Sequence, residues 1–208
     1  MTVWETAAAL VMMAAGSIYG TKKKAWGRRA LFFKVLATMS GVLLSLQSAL
    51  LTPELWRWLL TAGLLLCVAA DVLLEIQLLA GVSFFGAAHL CFLGASFCLG
   101  GWKLPAAGMA LILYGIFFLS FRRYLPKLGN LLVPGLLYPA LLCLMAGTAV
   151  LASWGEAGQA QATFGAGGLL FVASDYLLAE RVLGKSRKGQ NMAVLILYYG
   201  AVYLIALG

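Results

Sequence analysis

Asp71 and Asp175 are the only aspartates in the 208-residue chain, and each stands inside an apolar run, LLCVAADVLL and LLFVASDYLL. An ionisable side chain in a membrane span costs about 2.5–3.5 kcal/mol even on the lenient insertion scale, so each needs a structural or functional reason. His89, the sole histidine, lies in a similar run, as do Lys34, Tyr138 and Tyr198, and Asn191 opens the last one. Two carboxyls beside a histidine and phenols are the groups of general acid–base work, in which one acid delivers a proton while the other stays ionised. The same set could relay protons in a small proton-coupled transporter. His89 and the two aspartates could also supply three zinc ligands, but one histidine with no carboxylate to orient it argues against a metal, and no cofactor is expected. A purely structural pairing would need buried cations at the same depth, and only Lys34 is available.

The elements that carry these residues follow from composition. The chain is 63% hydrophobic and 11% charged, too apolar for a soluble core. Each crossing of the hydrocarbon takes about 20 residues, so the length allows roughly eight spans and no separate soluble domain. Apolar runs bounded by charge or by Gly and Pro predict spans near 3–19, 30–51, 56–74, 82–99, 104–121, 128–152, 160–179 and 192–207. The expected fold is therefore an all-α polytopic membrane helix bundle forming one domain, 1–208. Pro53 and Pro105 fall where a missing N–H costs nothing, whereas Pro134 and Pro139 are expected to kink the sixth span. Cys67, Cys91, Cys98 and Cys143 all lie in apolar runs without metal or disulfide spacing and read as packing residues.

The formal charge of +8 is arranged in short runs between spans rather than on a helix face, which argues against nucleic acid. The loops after the first, fifth and seventh spans hold twelve of the fifteen Lys and Arg residues; Arg57 and Lys103 lie on the opposite side, and Lys34 lies in a span. The positive-inside rule then predicts a multi-pass protein of the cell membrane with both termini outside the cytoplasm. The segments 65–74 and 169–178 are identical at seven of ten positions, at an offset of 104 residues, and both run outside to inside. That echo suggests two parallel four-helix repeats, 1–104 and 105–208.

Depth follows from the rise of about 1.5 Å per helical residue. Asp71 comes four residues before Glu75 and Asp175 six before Arg181, about 6–9 Å inside the cytoplasmic boundary. Lys34, His89, Tyr138, Asn191 and Tyr198 enter the same band from the cytoplasmic side. Seven polar residues on six helices thus share one depth, as a pocket opening toward the inner leaflet requires. Glu75, at the end of its span, is expected to be solvent-exposed.

The strings FFKVLAT at Lys34, AADVLL at Asp71, FFGAAHLCF at His89, LYP at Tyr138 and GGLLFVASDYLLA at Asp175, then Asn191 followed seven residues later by Tyr198, resemble in order the YhhN family of lysoplasmalogenases. Val35 departs from the proline usual after the lysine, and Gln190 from the aspartate common before the asparagine. The resemblance implies a membrane enzyme that hydrolyses the vinyl-ether bond of a lysoplasmalogen, a lysophospholipid, to a fatty aldehyde and a glycerophospho-base. Under it, Asp71 and Asp175 are the expected acid and base in either order, with His89 and Tyr198 positioning water or the ether oxygen. Lys34, Tyr138 and Asn191 would bind substrate, Lys34 through the lipid phosphate. Oligomeric state is not readable from the chain.

Overall fold

The computed structural model describes residues 2–100, 104–153, 158–184 and 189–208. Among these residues the chain is all-helical, in the order α1 (Val3–Trp26), α2 (Leu31–Leu51), α3 (Leu55–Leu73), α4 (Leu78–Gly100), α5 (Leu104–Phe121), α6 (Leu132–Ala152), α7 (Gln159–Val182) and α8 (Gln190–Ala206). Six described runs are long and apolar enough to cross a membrane; the first, Val3–Leu51, contains both α1 and α2, and α8 is a shorter apolar helix. Lys103, Lys185, Arg187 and Lys188, counted above among the loop charges, lie outside the described residues.

Local chemistry sets the helix ends. Thr2 and Glu5 form a reciprocal capping box, so two backbone donors at the start of α1 are satisfied. α1 continues seven residues beyond the expected end at Tyr19, through the lysine run to Trp26, because lysines are good helix formers and the last turn favours their charge. Gly27, at φ 53°, ends it. The chain then reverses, since the Ser40 hydroxyl reaches back to the Ala8 carbonyl at 3.4 Å. α6 corrects the two-kink expectation. Short 3₁₀ turns occupy Leu125–Lys127 and Gly129–Leu131, so the helix begins at Leu132 and Pro134 falls in its first turn, where no N–H is needed. Only Pro139 is interior, and it cannot give the Gly135 carbonyl its helical hydrogen bond.

Packing arranges six helices as a ring, α2–α3–α4–α6–α7–α8, with α8 closing back against α2. α1 lies against α2 and α8, and α5 lies against α6. The ring helices are the six that carry the seven polar residues. Glycine allows the close approaches that fix them: a Cβ on Gly167 of α7 would stand 2.8 Å from Ile205 of α8, and one on Gly147 of α6 would stand 2.7 Å from the Ala106 carbonyl of α5.

Candidate active site

Each carboxyl has its own set of partners. Asp71, on α3, is 1% exposed. Lys34 on α2 places Nζ 3.1 Å from its Oδ1, and Thr38, one turn further along the same face of α2, donates to Oδ2 at 2.6 Å. Tyr198 on α8 donates to the same oxygen at 2.9 Å. The cation and two hydroxyls give an ionised carboxylate its counter-charge and most of its hydrogen bonds.

Asp175, on α7, has no such cation among the described residues. Its Oδ2 accepts the hydroxyl of Tyr138 on α6, and that hydroxyl lies 3.1 Å from Nε2 of His89 on α4. His89 is fully buried, its ring edge-on to Phe171 with centroids 4.7 Å apart, and its Nδ1 has no hydrogen-bond partner among the described residues. Phe85, Phe171 and Tyr198 form an edge-to-face cluster beside both carboxyls.

Two cavities meet here. One, of about 460 Å³, is polar and is lined by Lys34, Asp71, Glu75, Asp175, Asn191 and Tyr198 together with Tyr19, Lys23, Lys24 and Arg181. The other, of about 170 Å³, is an apolar groove between α4, α5, α6 and α7, lined by Val82, Tyr114, Phe117, Phe121, Leu128, Pro134 and their neighbours. Asp175, Phe85, Leu74, Leu78, Leu178 and Val182 belong to both walls, and Asp175 is the only ionisable group among these six. Asp175 therefore stands in the wall that the polar chamber and the groove share.

The structure sorts the expected site residues by reach. Asp71, Asp175, Tyr198, Lys34 and Asn191 line the polar chamber, and Tyr138 lines the groove. His89 lines neither cavity and reaches Asp175 only through Tyr138, because its helix position turns the ring into the Phe92–Phe171 core. Lys34, expected at the lipid phosphate, is buried against Asp71, and its Nζ also lies 3.3 Å from the Asp71 carbonyl. Asn191 accepts from Arg181 at 3.0 Å at the chamber mouth. Glu75 is exposed there as expected, yet it is tied to Tyr19 at 2.7 Å and to Lys23 at 2.6 Å.

Three contributors were not singled out from the sequence. Thr38 follows Lys34 by four residues and could have been found from that spacing alone. Tyr19 lies between two ammonium groups, Lys23 and Lys34, 5.3 and 5.7 Å from its ring. Gln190 is buried and donates to the Leu177 carbonyl and to Glu180, joining α8 to α7 below Asp175. No three His, Cys, Asp or Glu side chains among the described residues converge as a metal site.

The fold and this site define a polytopic α-helical membrane protein with two buried, differently partnered carboxyls on one chamber. A model of the YhhN family matches residues 29–208, and the chain belongs to that family. No curated protein and no solved structure matches it.

Proposed function

We propose that the protein is a membrane-embedded ether hydrolase of the lysoplasmalogenase type, cleaving the vinyl-ether bond of a single-chain phospholipid. The observation that carries this reading is the position of Asp175 in the wall shared by the polar chamber and the apolar groove. A lysoplasmalogen has the same layout: a polar glycerophospho-base, one long apolar chain, and the scissile bond between them. With the headgroup in the chamber and the chain among α4–α7, the vinyl ether lies beside Asp175. Family membership supports a hydrolase of this kind.

The unequal partners of the two carboxyls assign the roles. Asp71 is neutralised by Lys34, whereas Asp175 meets no cation among the described residues, so in this scheme its counter-charge is a proton. Asp175 adds that proton to the outer vinyl carbon; the π electrons form the new C–H bond, and a lone pair on the ether oxygen completes an oxocarbenium ion. The Asp71 carboxylate and the faces of Phe85 and Tyr198 favour this cation. Water attacks it, giving a proton to Asp71 and forming a hemiacetal. The hemiacetal hydroxyl then returns a proton to Asp175 as the C–O bond to glycerol breaks, and Asp71 protonates the departing oxygen. Fatty aldehyde and glycerophospho-base leave, and both carboxyls are restored.

Aldehyde release from a lysoplasmalogen by purified protein in neutral detergent tests the reading, with Asp71→Asn and Asp175→Asn compared in the presence and absence of a chelator. The expected result is chelator-insensitive aldehyde from the parent and none from either monodisperse variant. A well-folded parent that releases none, but moves protons across sealed vesicles, would replace hydrolysis with transport.

A further inference from the structure

The polar chamber holds more positive charge than its own carboxylates use. Lys34 is spent on Asp71, and Lys23 on Glu75, which also takes the Tyr19 hydroxyl. Two cations remain on the chamber wall. Among the described residues Lys24 forms no ion pair, and Arg181 is held only by the neutral amide oxygen of Asn191. A guanidinium has five donors in a fixed fork, so one contact to Asn191 orients the group and leaves the others available. An uncompensated lysine and an oriented arginine at the mouth of a chamber fit a phosphate, the arginine through paired hydrogen bonds and the lysine as a point charge.

We infer that Lys24 and Arg181 form the phosphate subsite for a single-chain phospholipid, with Asn191 as the residue that positions Arg181 and Lys34 excluded from that task. The inference rests on the proposed function for its choice of lipid. It moves phosphate recognition from the buried end of the chamber to its mouth. The phosphate is thereby separated from the reacting carbon, so Lys34 can remain on Asp71 throughout the reaction. Glu75 already has its charge balanced by Lys23 and so offers little to a cationic base, which leaves the phosphate as the part of the headgroup that is read.

Binding without turnover separates this inference from the hydrolytic reading. The probe is a lysophospholipid with a saturated ether chain, which cannot be cleaved, titrated into purified protein in neutral detergent. A 1-alkylglycerol of the same chain length serves as the phosphate-free control. Lys24→Gln and Arg181→Gln should each weaken the lysophospholipid about tenfold and leave the alkylglycerol unchanged, while Arg181→Lys recovers only part of the loss. Inorganic phosphate and a diacyl anionic lipid should compete poorly, because neither presents a phosphate on one chain. Equal losses for both probes would overturn the subsite, as would parent-like binding by the double variant. Displacement by the diacyl lipid as readily as by the lysolipid would make the two cations ordinary contacts to bilayer headgroups. Absence of aldehyde release from the parent would count against the hydrolase and leave these binding outcomes standing.

Discussion

Each half of the sequence carries one aspartate, in the similar strings LLCVAADVLL and LLFVASDYLL, and the two are equipped differently. Lys34 and Tyr138 are 104 residues apart, the same interval that separates Asp71 from Asp175. Each contacts the aspartate of its own half, the lysine as a cation and the tyrosine as a phenol. Tyr198 of the second half crosses to Asp71, and His89 of the first crosses toward Asp175 through Tyr138. The two aspartates therefore differ in what meets them: Asp71 has a cation, and Asp175 has a phenol and no cation among the described residues. A shared chamber between unlike carboxyls is what acid–base chemistry on an ether needs, and two identical niches would not supply it.

The comparison can be broken most severely at the carboxyls. Asp175→Asn should lower the rate of aldehyde release by about 10²–10⁴-fold with the fold intact, since the proton donor is lost while size and polarity are kept. Next is Lys34→Met, which leaves the Asp71 charge buried without its cation. A thermal or denaturant assay should register about 3–5 kcal/mol of destabilisation, and adding Asp71→Asn to the same chain should recover most of it. Were the double variant no better than the single, the ion pair would not be the reason for Lys34's place. Tyr138→Phe should reduce aldehyde release about tenfold, the cost of one buried hydrogen bond, and it leaves His89 Nε2 without a partner. Tyr198→Phe should cost less, because Asp71 keeps Thr38 and Lys34.

The smallest effect belongs to the chamber mouth. Burial pushes the Glu75 carboxyl up, but the hydrogen bonds from Lys23 and Tyr19 outweigh it and hold the group below the usual carboxylate range. Stability from a lowered carboxyl is fully present above its unfolded value, near 4.3, and is lost as pH falls through the lower folded value. The side chain is 28% exposed, so solvent screening keeps the contribution under about 1 kcal/mol. Glu75→Gln should flatten the acid limb of a stability–pH curve by that amount and leave the neutral plateau nearly unchanged.

Much of this arrangement was legible in the sequence, because the quantities that decide it run along the helix axis. Apolar run lengths predict eight helices, which are present among the described residues, and the rise per residue groups Asp71, Asp175 and Tyr198, which line a common chamber. Direction around each axis was not legible in the same way. The ring of His89 points into the Phe92–Phe171 core, and Lys34, expected at a lipid phosphate, meets Asp71. The tie between Gln190 and Glu180 was hidden because it joins two helices whose facing sides depend on packing rather than on local spacing. The end of α1 was missed for another reason: a lysine run reads as a loop signal, yet it continues the helix and brings Lys23 and Lys24 to the chamber mouth.

The central claim is that Asp175 carries a proton while Asp71 is ionised, and infrared difference spectroscopy of the purified protein at neutral pH measures this directly. The carbonyl stretch of a protonated carboxyl is separate from the carboxylate bands, and its loss in an Asp→Asn variant distinguishes each aspartate from the other and from the five glutamates. The account predicts a protonated-carboxyl band in the parent that persists in Asp71→Asn and disappears in Asp175→Asn. A band that disappears instead in Asp71→Asn, or a parent with no such band, would contradict it.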